Sequence, residues 1–387
     1  MNQRAPVEVF SPGEYIRDEL EARGWTQDVL ATIIDRSPRL VNEIITGRRA
    51  ITPETAQVLS EAFGTSAQVW MNLESAYRLS RVRAQGDLVS RRARLYGKGP
   101  IKEMVKRGWI VSSDSLDVLE ERVKIFFELN DLDADPVPFA HAARKSTSYD
   151  AVTPAQCAWL FRAKHLAAGM KVHPFNGRSL RGALVRLHDL RRNAEDIRQV
   201  PQVLADAGVR FLIVEHLTKS RIDGSAFWLD DSSPVVALSM RYDRIDWFWY
   251  TLMHDLMHIV HRDGHPTASG HGNLRLVETD LVGRNAQAVV GRPPIERRAD
   301  EAASEFLLPA ALVADFAARV RPRYSNEAIL EFAKRADVHP GIVVGRLQFL
   351  GEISFAHSRE MLERVRDTIV EVSFTDGWGR PALEPAA

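Results

Sequence analysis

The stretch Arg241–Val260, RYDRIDWFWYTLMHDLMHIV, decides how the second half of this chain is interpreted. It is an apolar and aromatic run of helical character, and two histidines, His254 and His258, stand four residues apart within it. Residues at this spacing lie one turn above each other on the same helix face. Two imidazoles placed in this way can bind one metal ion, with Zn–N distances of about 2.0–2.1 Å. The run therefore predicts a helix that carries part of a metal site.

The composition predicts a soluble protein of two or three domains. The chain has 387 residues, of which 45% are hydrophobic and 26% are charged. Its 51 basic and 51 acidic residues cancel, so any nucleic-acid site must be a local basic patch. Cys157 is the only cysteine, which excludes an internal disulfide and is typical of a reducing cytosol. Because no segment approaches the roughly 20 apolar residues of a membrane span, we expect a cytoplasmic location without membrane contact.

The N-terminal part, from Ser11 to about Arg81, reads as five short helices. Ser37-Pro38 and Thr52-Pro53 each combine an N-cap residue with a proline in the first helical turn. Glycines follow the first and fourth helices, as they often do at helix C-termini. Two short helices joined by a few residues, the second opened by Ser37, predict a helix-turn-helix. A small helical bundle with a solvated polar face is the alternative.

The third of these helices would enter the major groove of DNA. Arginine and asparagine side chains bind guanine and adenine edges with two hydrogen bonds, and Arg39, Asn42 and Thr46 share one helix face. Basic residues just beyond that helix, and a glutamine at the start of the second helix, suit phosphate contacts. The candidate DNA contacts are Gln27, Ser37, Arg39, Asn42, Thr46, Arg48 and Arg49.

The segment Pro12–Leu79 resembles the Xre-type DNA-binding domain of HigA antitoxins. The resemblance is carried by the TQ pair after Trp25, the GRRAIT turn, ETA-x-x-L and W-x-N-L-x-x-Y, which follow in the family's order. One departure is Asp35-Arg36, where such domains commonly have a glycine. The resemblance implies binding to double-stranded DNA, and helix-turn-helix proteins usually read a palindromic operator as homodimers.

The order of predicted elements indicates a mainly α fold with a small sheet, of the α+β class. We assign residues 1–81 to the DNA-binding domain, 82–198 to a mostly helical connector, 199–352 to a metal-binding domain and 353–387 to a helix and a frayed tail. In the third segment, VRFLIVE predicts a buried strand, and GSAFWL and PVVALSM predict a hairpin before the histidine helix. This layout is zincin-like.

A third metal ligand is expected from Pro294–Asp300. Glu296 and Asp300 are four apart on a second predicted helix, so Glu296 can bind the metal while Asp300 accepts the other ring N–H of a histidine ligand. Three protein ligands leave a fourth position for water, as in catalytic zinc sites, with one Zn²⁺ per chain. The intervening stretch 262–292 is expected to form a flap. Its neighbourhood offers competing ligands, His261, His265 and His271.

Several blocks resemble the ImmA/IrrE-family metallopeptidase domain. They are HLTKSRIDGSAFWL, SMRYDRIDWFWYTLMHDLMHIVH, IERRADEAASEFLLP and VHPGIVVGRLQ, in family order from about His216 to Gln348. The resemblance implies that His254, His258 and Glu296 hold zinc. It also implies that position 255 carries the catalytic base, which is a glutamate in the family and an aspartate here. A further departure is Met257, where a small glycine is usual.

The aspartate at position 255 keeps the basicity of glutamate but loses reach. The intrinsic pKa values of the two acids are similar, about 3.9 and 4.3, whereas a misplacement of about 1 Å can cost roughly 10²-fold in rate. We therefore expect zinc binding with peptide hydrolysis that is slow, substrate-gated or absent. Arg346 and His339 could reach the cleft and stabilise an oxyanion or a substrate carboxylate. For His339, helix packing is the favoured alternative.

Three functional hypotheses follow. In the first, a DNA-binding regulator senses a signal through its metallopeptidase-like domain, or cleaves itself or a partner, and so relieves repression. In the second, the chain is mainly a zinc protease that acts on a separate repressor or antitoxin. In the third, it is a non-enzymatic antitoxin that binds a toxin. The metal hypotheses fail if Glu296 lies beyond coordinating reach of the two imidazoles.

Overall fold

The N-terminal helices begin where the sequence places their caps. In the computed structural model, which describes residues 10–81, 86–136, 152–266, 276–279 and 293–377, the side chains of Thr26, Ser37 and Thr52 each accept a backbone N–H at 3.2–3.3 Å. Such caps satisfy N–H groups that lack a partner within the helix. The helices are α1 (Pro12–Arg23), α2 (Gln27–Ile33), α3 (Pro38–Ile45), α4 (Pro53–Phe63) and α5 (Ala67–Arg81).

These helices enclose a core of their own, within a compact unit that comprises residues 1–91. Leu30, Leu59 and Trp70 are among its most deeply buried side chains. Helices α1 and α3 cross closely at Gly13, where an added Cβ would lie 2.1 Å from the carbonyl oxygen of Ile45. Asp35, which replaces the family's glycine, takes a left-handed conformation with φ +50°. Aspartate tolerates that region better than most residues, so the turn is kept.

The remaining helices and all the described strands continue the chain in the order typical of an α+β protein, and this fold class is confirmed. The helices are α6 (Gly86–Gly97), α7 (Ile101–Lys106), α8 (Leu116–Phe126), α9 (Pro154–Ala168), α10 (Gly177–Leu190), α11 (Val200–Asp206), α12 (Ile245–His261), α13 (Pro294–Leu307), α14 (Ala310–Val320), α15 (Asn326–Ala336), α16 (Pro340–Phe349) and α17 (Arg366–Val372). The strands are β1 (Arg210–Ile213), β2 (Ile222–Trp228), β3 (Pro234–Leu238), β4 (Leu276–Thr279) and β5 (Phe374–Thr375). Within these described ranges, no helix is both long and apolar enough to cross a bilayer.

The strands form one mixed sheet in the order β4-β2-β3-β1-β5. The predicted hairpin is β2 and β3, which pair antiparallel, while β1 lies parallel to β3. Two expectations need correction. Of the predicted flap, residues 276–279 form β4, which extends the sheet beside β2, and residues 262–266 directly follow α12. In the tail that was expected to be frayed, β5 pairs in parallel with β1 at the opposite edge, because its backbone groups find partners there.

The sheet is covered on both faces, and this changes the interpretation of the predicted connector. Along β1, Phe211 and Ile213 enter one core, whereas Leu212 enters the other, as the alternation of side chains in a strand requires. The second core is completed by helices α7–α9. Trp159 of α9 is fully buried, and its Nε1 donates to the carbonyl oxygen of Val214 at 2.8 Å.

The described residues from 92 onward therefore belong to a second compact unit, which includes the described part of the predicted connector. The predicted C-terminal helix is also different in detail. A short 3-10 turn at Arg359–Met361 precedes α17. The carboxylate of Asp243 accepts the backbone N–H groups of Val365 and Arg366 at 2.9 and 2.8 Å, so it stabilises the start of α17.

Candidate metal centre and nucleic-acid interface

Helix α12 carries the histidine pair and is buried along most of its length. It packs on β2 and β3 with one side and on α13 and α16 with another. His254, Asp255 and His258 have no solvent exposure. Burial of three ionisable side chains is costly unless they are paired or bind a metal. These three side chains therefore need hydrogen-bond or ion-pair partners, or a metal ion, within the protein.

The structure brings His254, His258 and Glu296 together. The two Nε2 atoms lie 3.0 Å apart, and Oε2 of Glu296 lies 3.3 Å from Nε2 of His254 and 3.6 Å from Nε2 of His258. A tetrahedral zinc ion with bonds of about 2.0–2.1 Å separates its ligand atoms by about 3.3–3.4 Å. The triangle of donor atoms thus has the size that one such ion requires. Among the described residues, this is the group of side chains suited to hold a metal.

The outer edges of both imidazoles face carboxylates. Nδ1 of His254 lies 2.9 Å from Oδ1 of Asp300, as the spacing of Glu296 and Asp300 predicts. Nδ1 of His258 lies 3.0 Å from Oδ2 of Asp263. An N–H held on each Nδ1 leaves the lone pair of each Nε2 directed at the other ring, and a cation between them removes that repulsion. Oε2 of Glu296 is buried and accepts no hydrogen bond among the described residues.

Sequence reasoning missed Asp263 and the groups that support the two carboxylates. Asp263 follows the end of α12, five residues after His258, and an acid at that turn was the available signal. Its other oxygen, Oδ1, accepts from Nη2 of Arg298 on α13 at 2.6 Å. The hydroxyl of Tyr250 donates to Oδ1 of Asp300 at 2.9 Å. Each histidine is thus oriented by a carboxylate that is itself held in place.

Asp255, the predicted base, packs against β2. A Cβ added at Gly224 would lie 2.3 Å from Oδ2 of Asp255 and 3.0 Å from the side chain of Thr251. Glycine at position 224 therefore leaves room for the carboxylate. A glycine inside a strand often marks such a close approach, so Gly224 is a signal for this contact that the sequence contains.

Other predicted site residues lie outside the cluster. His265 is buried, and its Nε2 lies 2.9 Å from the carbonyl oxygen of Asp231. His271 lies outside the described residues. His339 caps α16, since its Nδ1 accepts the N–H of Gly341 at 3.0 Å, which agrees with helix packing. Nη1 of Arg346 donates to Oγ of Ser304 at 3.1 Å.

The candidate DNA contacts occupy the exposed side of α3 and its flanks. Arg39, Asn42, Thr46, Arg48 and Arg49 are exposed, and Gln27 is half-buried at the start of α2. The side chain of Arg39 is 88% exposed. Two predicted contacts have structural tasks. Ser37 caps α3 through Leu40, and the hydroxyl of Thr46 donates to the carbonyl oxygen of Asn42 at 2.8 Å.

Glu43 was missed, although it lies between two predicted DNA contacts. Its Oε1 accepts from Nε of Arg39 at 2.9 Å, and Oε2 lies 3.6 Å from Nη1 of Arg49. Its pKa is lowered chiefly by the hydrogen bond from Arg39, with further contributions from the charges of Arg39 and Arg49. The acid therefore stays ionised and offsets positive charge on the surface that would face phosphate groups. The spacing i, i+4 from Arg39 was the available signal.

The structure combines a five-helix unit that contains a helix-turn-helix with an α+β unit that contains a buried cluster of two histidines and a glutamate. The family described as "Helix-turn-helix" matches residues 16–70. The Escherichia coli "Uncharacterized HTH-type transcriptional regulator YddM" is 34% identical over 84 residues, which are 22% of this chain and 88% of that relative. The chain belongs to the helix-turn-helix family of DNA-binding transcriptional regulators through its first unit.

Further matches cover similar shares of the chain. "Virulence-associated protein I" of Dichelobacter nodosus is 42% identical over 69 residues, so this chain spans 64% of that relative, and the match is 18% of this chain. The solved structure "Pseudomonas aeruginosa antitoxin HigA with higBA promoter" is 37% identical over 21% of this chain and 91% of its own, with a TM-score of 0.21. A second Pseudomonas aeruginosa structure, a protein with its operator DNA, is 38% identical over 20% of this chain and 86% of its own, with a TM-score of 0.19.

Proposed function

We propose that this protein is an antitoxin-like transcriptional regulator that binds an operator as a homodimer. Its second unit would be an ImmA/IrrE-like, metallopeptidase-type domain that holds one Zn²⁺ on His254, His258 and Glu296. That domain would sense a signal, or act on a protein partner, and so change repression. The observation that carries the metal proposal is the triangle of donor atoms with edges of 3.0–3.6 Å.

The DNA-binding part of the proposal is supported by the surface of α3. Exposed arginine and asparagine side chains lie on the helix that a helix-turn-helix inserts into the major groove. Because the whole chain carries equal numbers of acidic and basic residues, these local charges must provide the attraction to phosphate groups. Base reading would come from Arg39 and Asn42, and backbone contacts from Gln27, Arg48 and Arg49.

The proposal of a zinc site is supported by the carboxylates that orient both histidine rings. Asp300 and Asp263 hold the imidazole rings so that both Nε2 lone pairs meet at one point. Zinc bound there would supply Lewis-acid chemistry, polarising a carbonyl group or a water molecule. The side chain of Asp255 would be the proton acceptor beside it.

A second candidate function is a metal-dependent sensor without peptidase activity. It is favoured by Asp255, which is one methylene shorter than the glutamate of the resembled family and is packed against Gly224 with no solvent exposure. A shorter acid in a closed packing site limits how far its carboxylate can reach. We therefore expect any peptide hydrolysis to be slow or substrate-gated.

Metal analysis of the purified full chain tests the centre. We expect about one zinc per chain, with loss of binding in His254→Ala and Glu296→Gln. His188→Ala is the matched control, because the His188 side chain is exposed on α10 and lies outside the cluster. Wild-type protein that is folded and takes up no zinc from buffered solution would refute the metal proposal.

Three measurements on the wild type and His254→Ala separate the three modes of action: genome-wide mapping of bound DNA, cleavage of a co-expressed repressor or antitoxin, and binding of a toxin. Operator binding that survives in the variant supports a regulator with a separable sensor. Loss of cleavage of a co-expressed repressor or antitoxin in the same variant supports a protease. A tight toxin complex that needs neither metal nor DNA supports an antitoxin that is not an enzyme.

A further inference from the structure

A cavity lies beside the cluster of His254, His258 and Glu296, between α12, α13 and α16. It is small: about 40 Å³ is available to the centre of a water-sized sphere, within about 450 Å³ of atom-free space that includes open solvent. Its walls are mostly apolar, and the metal-binding side chains are not among its described lining residues. The lining residues are Asp246, Tyr250, Ser304, Leu307, Leu308, Ile342, Gly345, Arg346 and Phe349. An apolar pocket with a few polar groups is the usual form of a small-molecule site.

The two charged residues of the cavity, Asp246 and Arg346, differ in whether an opposite charge compensates them. Asp246 is paired with Arg244 through two contacts, at 3.0 Å and 2.6 Å. Arg346 is half-buried, donates to Oγ of Ser304 and stacks 5.5 Å from the ring centroid of Phe349. Its Nε is buried without a hydrogen-bond partner among the described residues. The cavity thus contains one compensated carboxylate and one guanidinium that has no described carboxylate within ion-pair distance.

A guanidinium that loses part of its hydration is unfavourable when no carboxylate lies within ion-pair distance to compensate its charge. Burial lowers the pKa of Arg346 from its ordinary value, and the charges of Tyr250 and Glu305 only partly oppose this effect. A planar carboxylate is the partner that matches a guanidinium with two parallel hydrogen bonds. The remaining walls, formed by leucine, isoleucine and phenylalanine side chains, would cover an apolar body attached to that carboxylate.

One residue of the cavity also contacts a carboxylate that orients His254. Tyr250 lines the cavity, and its hydroxyl donates to Oδ1 of Asp300 at 2.9 Å. That same oxygen lies 2.9 Å from Nδ1 of His254. A ligand that moves the phenol ring therefore changes the hydrogen bonding of a carboxylate that orients a candidate zinc ligand. Such outer groups typically change metal affinity by about 10–100-fold when they are altered.

We propose that this cavity binds a small organic carboxylate with a compact apolar body, through Arg346, and that occupancy is communicated to the metal centre through Tyr250 and Asp300. The binding step stands by itself, whereas the communication step rests on the proposed zinc site. The ligand would thereby serve as the signal that the second unit detects.

Titration of the full chain with butyrate and phenylacetate, each beside its neutral amide, tests the binding step. Binding is followed by calorimetry and by NMR chemical-shift changes, in zinc-free and in zinc-loaded protein. We expect an acid to bind in both forms and its amide to bind at least about tenfold more weakly, since the amide cannot form two charge-assisted hydrogen bonds with the guanidinium. Arg346→Gln should lose the same factor, and Arg335→Gln, on the exposed face of α15, should not.

A second variant tests the site independently, in case Arg346→Gln does not fold. Ser304→Phe fills the cavity while retaining the charge of Arg346, although it removes the hydroxyl that accepts from Nη1, and it should abolish acid binding with an unchanged circular dichroism spectrum. Failure of both acids to saturate, equal binding by the amides or by inorganic phosphate, or full binding in Arg346→Gln would each overturn the proposed site.

The communication step has its own readout, the zinc affinity measured by competition with a chelating dye. We expect bound acid to change the zinc affinity of the wild type severalfold or more, and Tyr250→Phe to bind the acid without that change. Acid binding that leaves the zinc affinity of the wild type unchanged would refute the communication and retain the pocket. Zinc-free protein that still binds the acid would show that failure of the zinc proposal does not remove the carboxylate site.

Discussion

At the scale of single residues, the candidate site depends on side chains that restrain one another. The Nε2 atoms of His254 and His258 meet because Asp300 and Asp263 hold the opposite edges of the rings. Asp255 fits against β2 because position 224 has no side chain. In each case a small or oppositely charged neighbour decides where the functional atom lies.

The orienting carboxylates can be tested by charge removal without change of shape. We expect Asp263→Asn and Asp300→Asn each to weaken zinc binding by about 10–100-fold, because an amide no longer fixes the N–H of the imidazole on Nδ1. Zinc affinity is measured by competition with a chelating dye. Asp189→Asn, at an exposed position on α10, is the control. An unchanged affinity in both site variants would mean that these contacts serve packing alone.

The length of the acid at position 255 can be tested by Asp255→Glu. The longer side chain restores reach, so peptide hydrolysis should rise by at least about tenfold over the wild type. The added methylene must also fit against Gly224, and we expect a loss of about 1–3 kcal/mol in the free energy of unfolding from overpacking. Hydrolysis is followed with peptides from the chain itself and from candidate partners. A wild type as active as the glutamate variant would contradict the argument from reach.

At the scale of elements, helix ends and crossings set the DNA-binding surface. Cap residues fix where α2, α3 and α4 begin, and the contact between α1 and α3 fixes how the recognition helix is presented. On α3 itself, an acid is positioned between two of the basic residues that would meet DNA.

The crossing of α1 and α3 predicts that Gly13→Ala destabilises the first unit. Because the new Cβ would lie 2.1 Å from the carbonyl oxygen of Ile45, the helices must separate, at about 1–3 kcal/mol. Gly182→Ala is the matched control, since no atom lies within 4 Å of a Cβ there and alanine favours a helix interior by about 0.5–1 kcal/mol. Chemical unfolding followed by tryptophan fluorescence measures both. Equal stability of the Gly13→Ala protein and the wild type would contradict the close approach.

Glu43→Gln should strengthen DNA binding. The substitution releases Arg39 and Arg49 from an exposed ion pair, and we expect about a two- to fivefold gain in affinity with a steeper salt dependence. Fluorescence anisotropy at several salt concentrations measures both quantities. Glu61→Gln removes the same charge from α4, away from α3, and serves as the control. If both variants gain equally, the effect is one of net charge and not of the ion pair.

At the scale of the whole molecule, the chain is two compact units with separate cores. The first is a helical unit that buries its apolar side chains among its own five described helices. The second is organised around a sheet that is covered on both faces, and helices of the predicted connector cover one of these faces.

A fragment that ends at Arg91 should therefore fold without the rest of the chain. The side chains that form its core all come from α1–α5 and the turns between them, so the fragment supplies that core itself. We expect a helical circular dichroism spectrum, a cooperative melting transition and retained operator binding in the fragment. A fragment that is unfolded, although the full chain is folded, would show that the second unit is required for its stability.

The sequence by itself determined the elements whose causes are local. Caps at Thr26, Ser37 and Thr52 mark helix starts, apolar alternation marks β1–β3, and the spacing of the histidines and of Glu296 with Asp300 predicts which side chains share a helix face. These features depend on neighbours within a few residues, so they can be predicted from the sequence alone.

Only the tertiary structure decided what depends on distant parts of the chain. Three contacts follow from how separate elements pack. Asp263 pairs with His258, Gly224 lies against Asp255, and β5 adds to the edge of the sheet beside β1. The same is true of the cavity at Arg346, whose walls come from three helices. Burial and long-range contact are properties of the packed chain, because each position's surroundings are supplied by residues far from it in sequence.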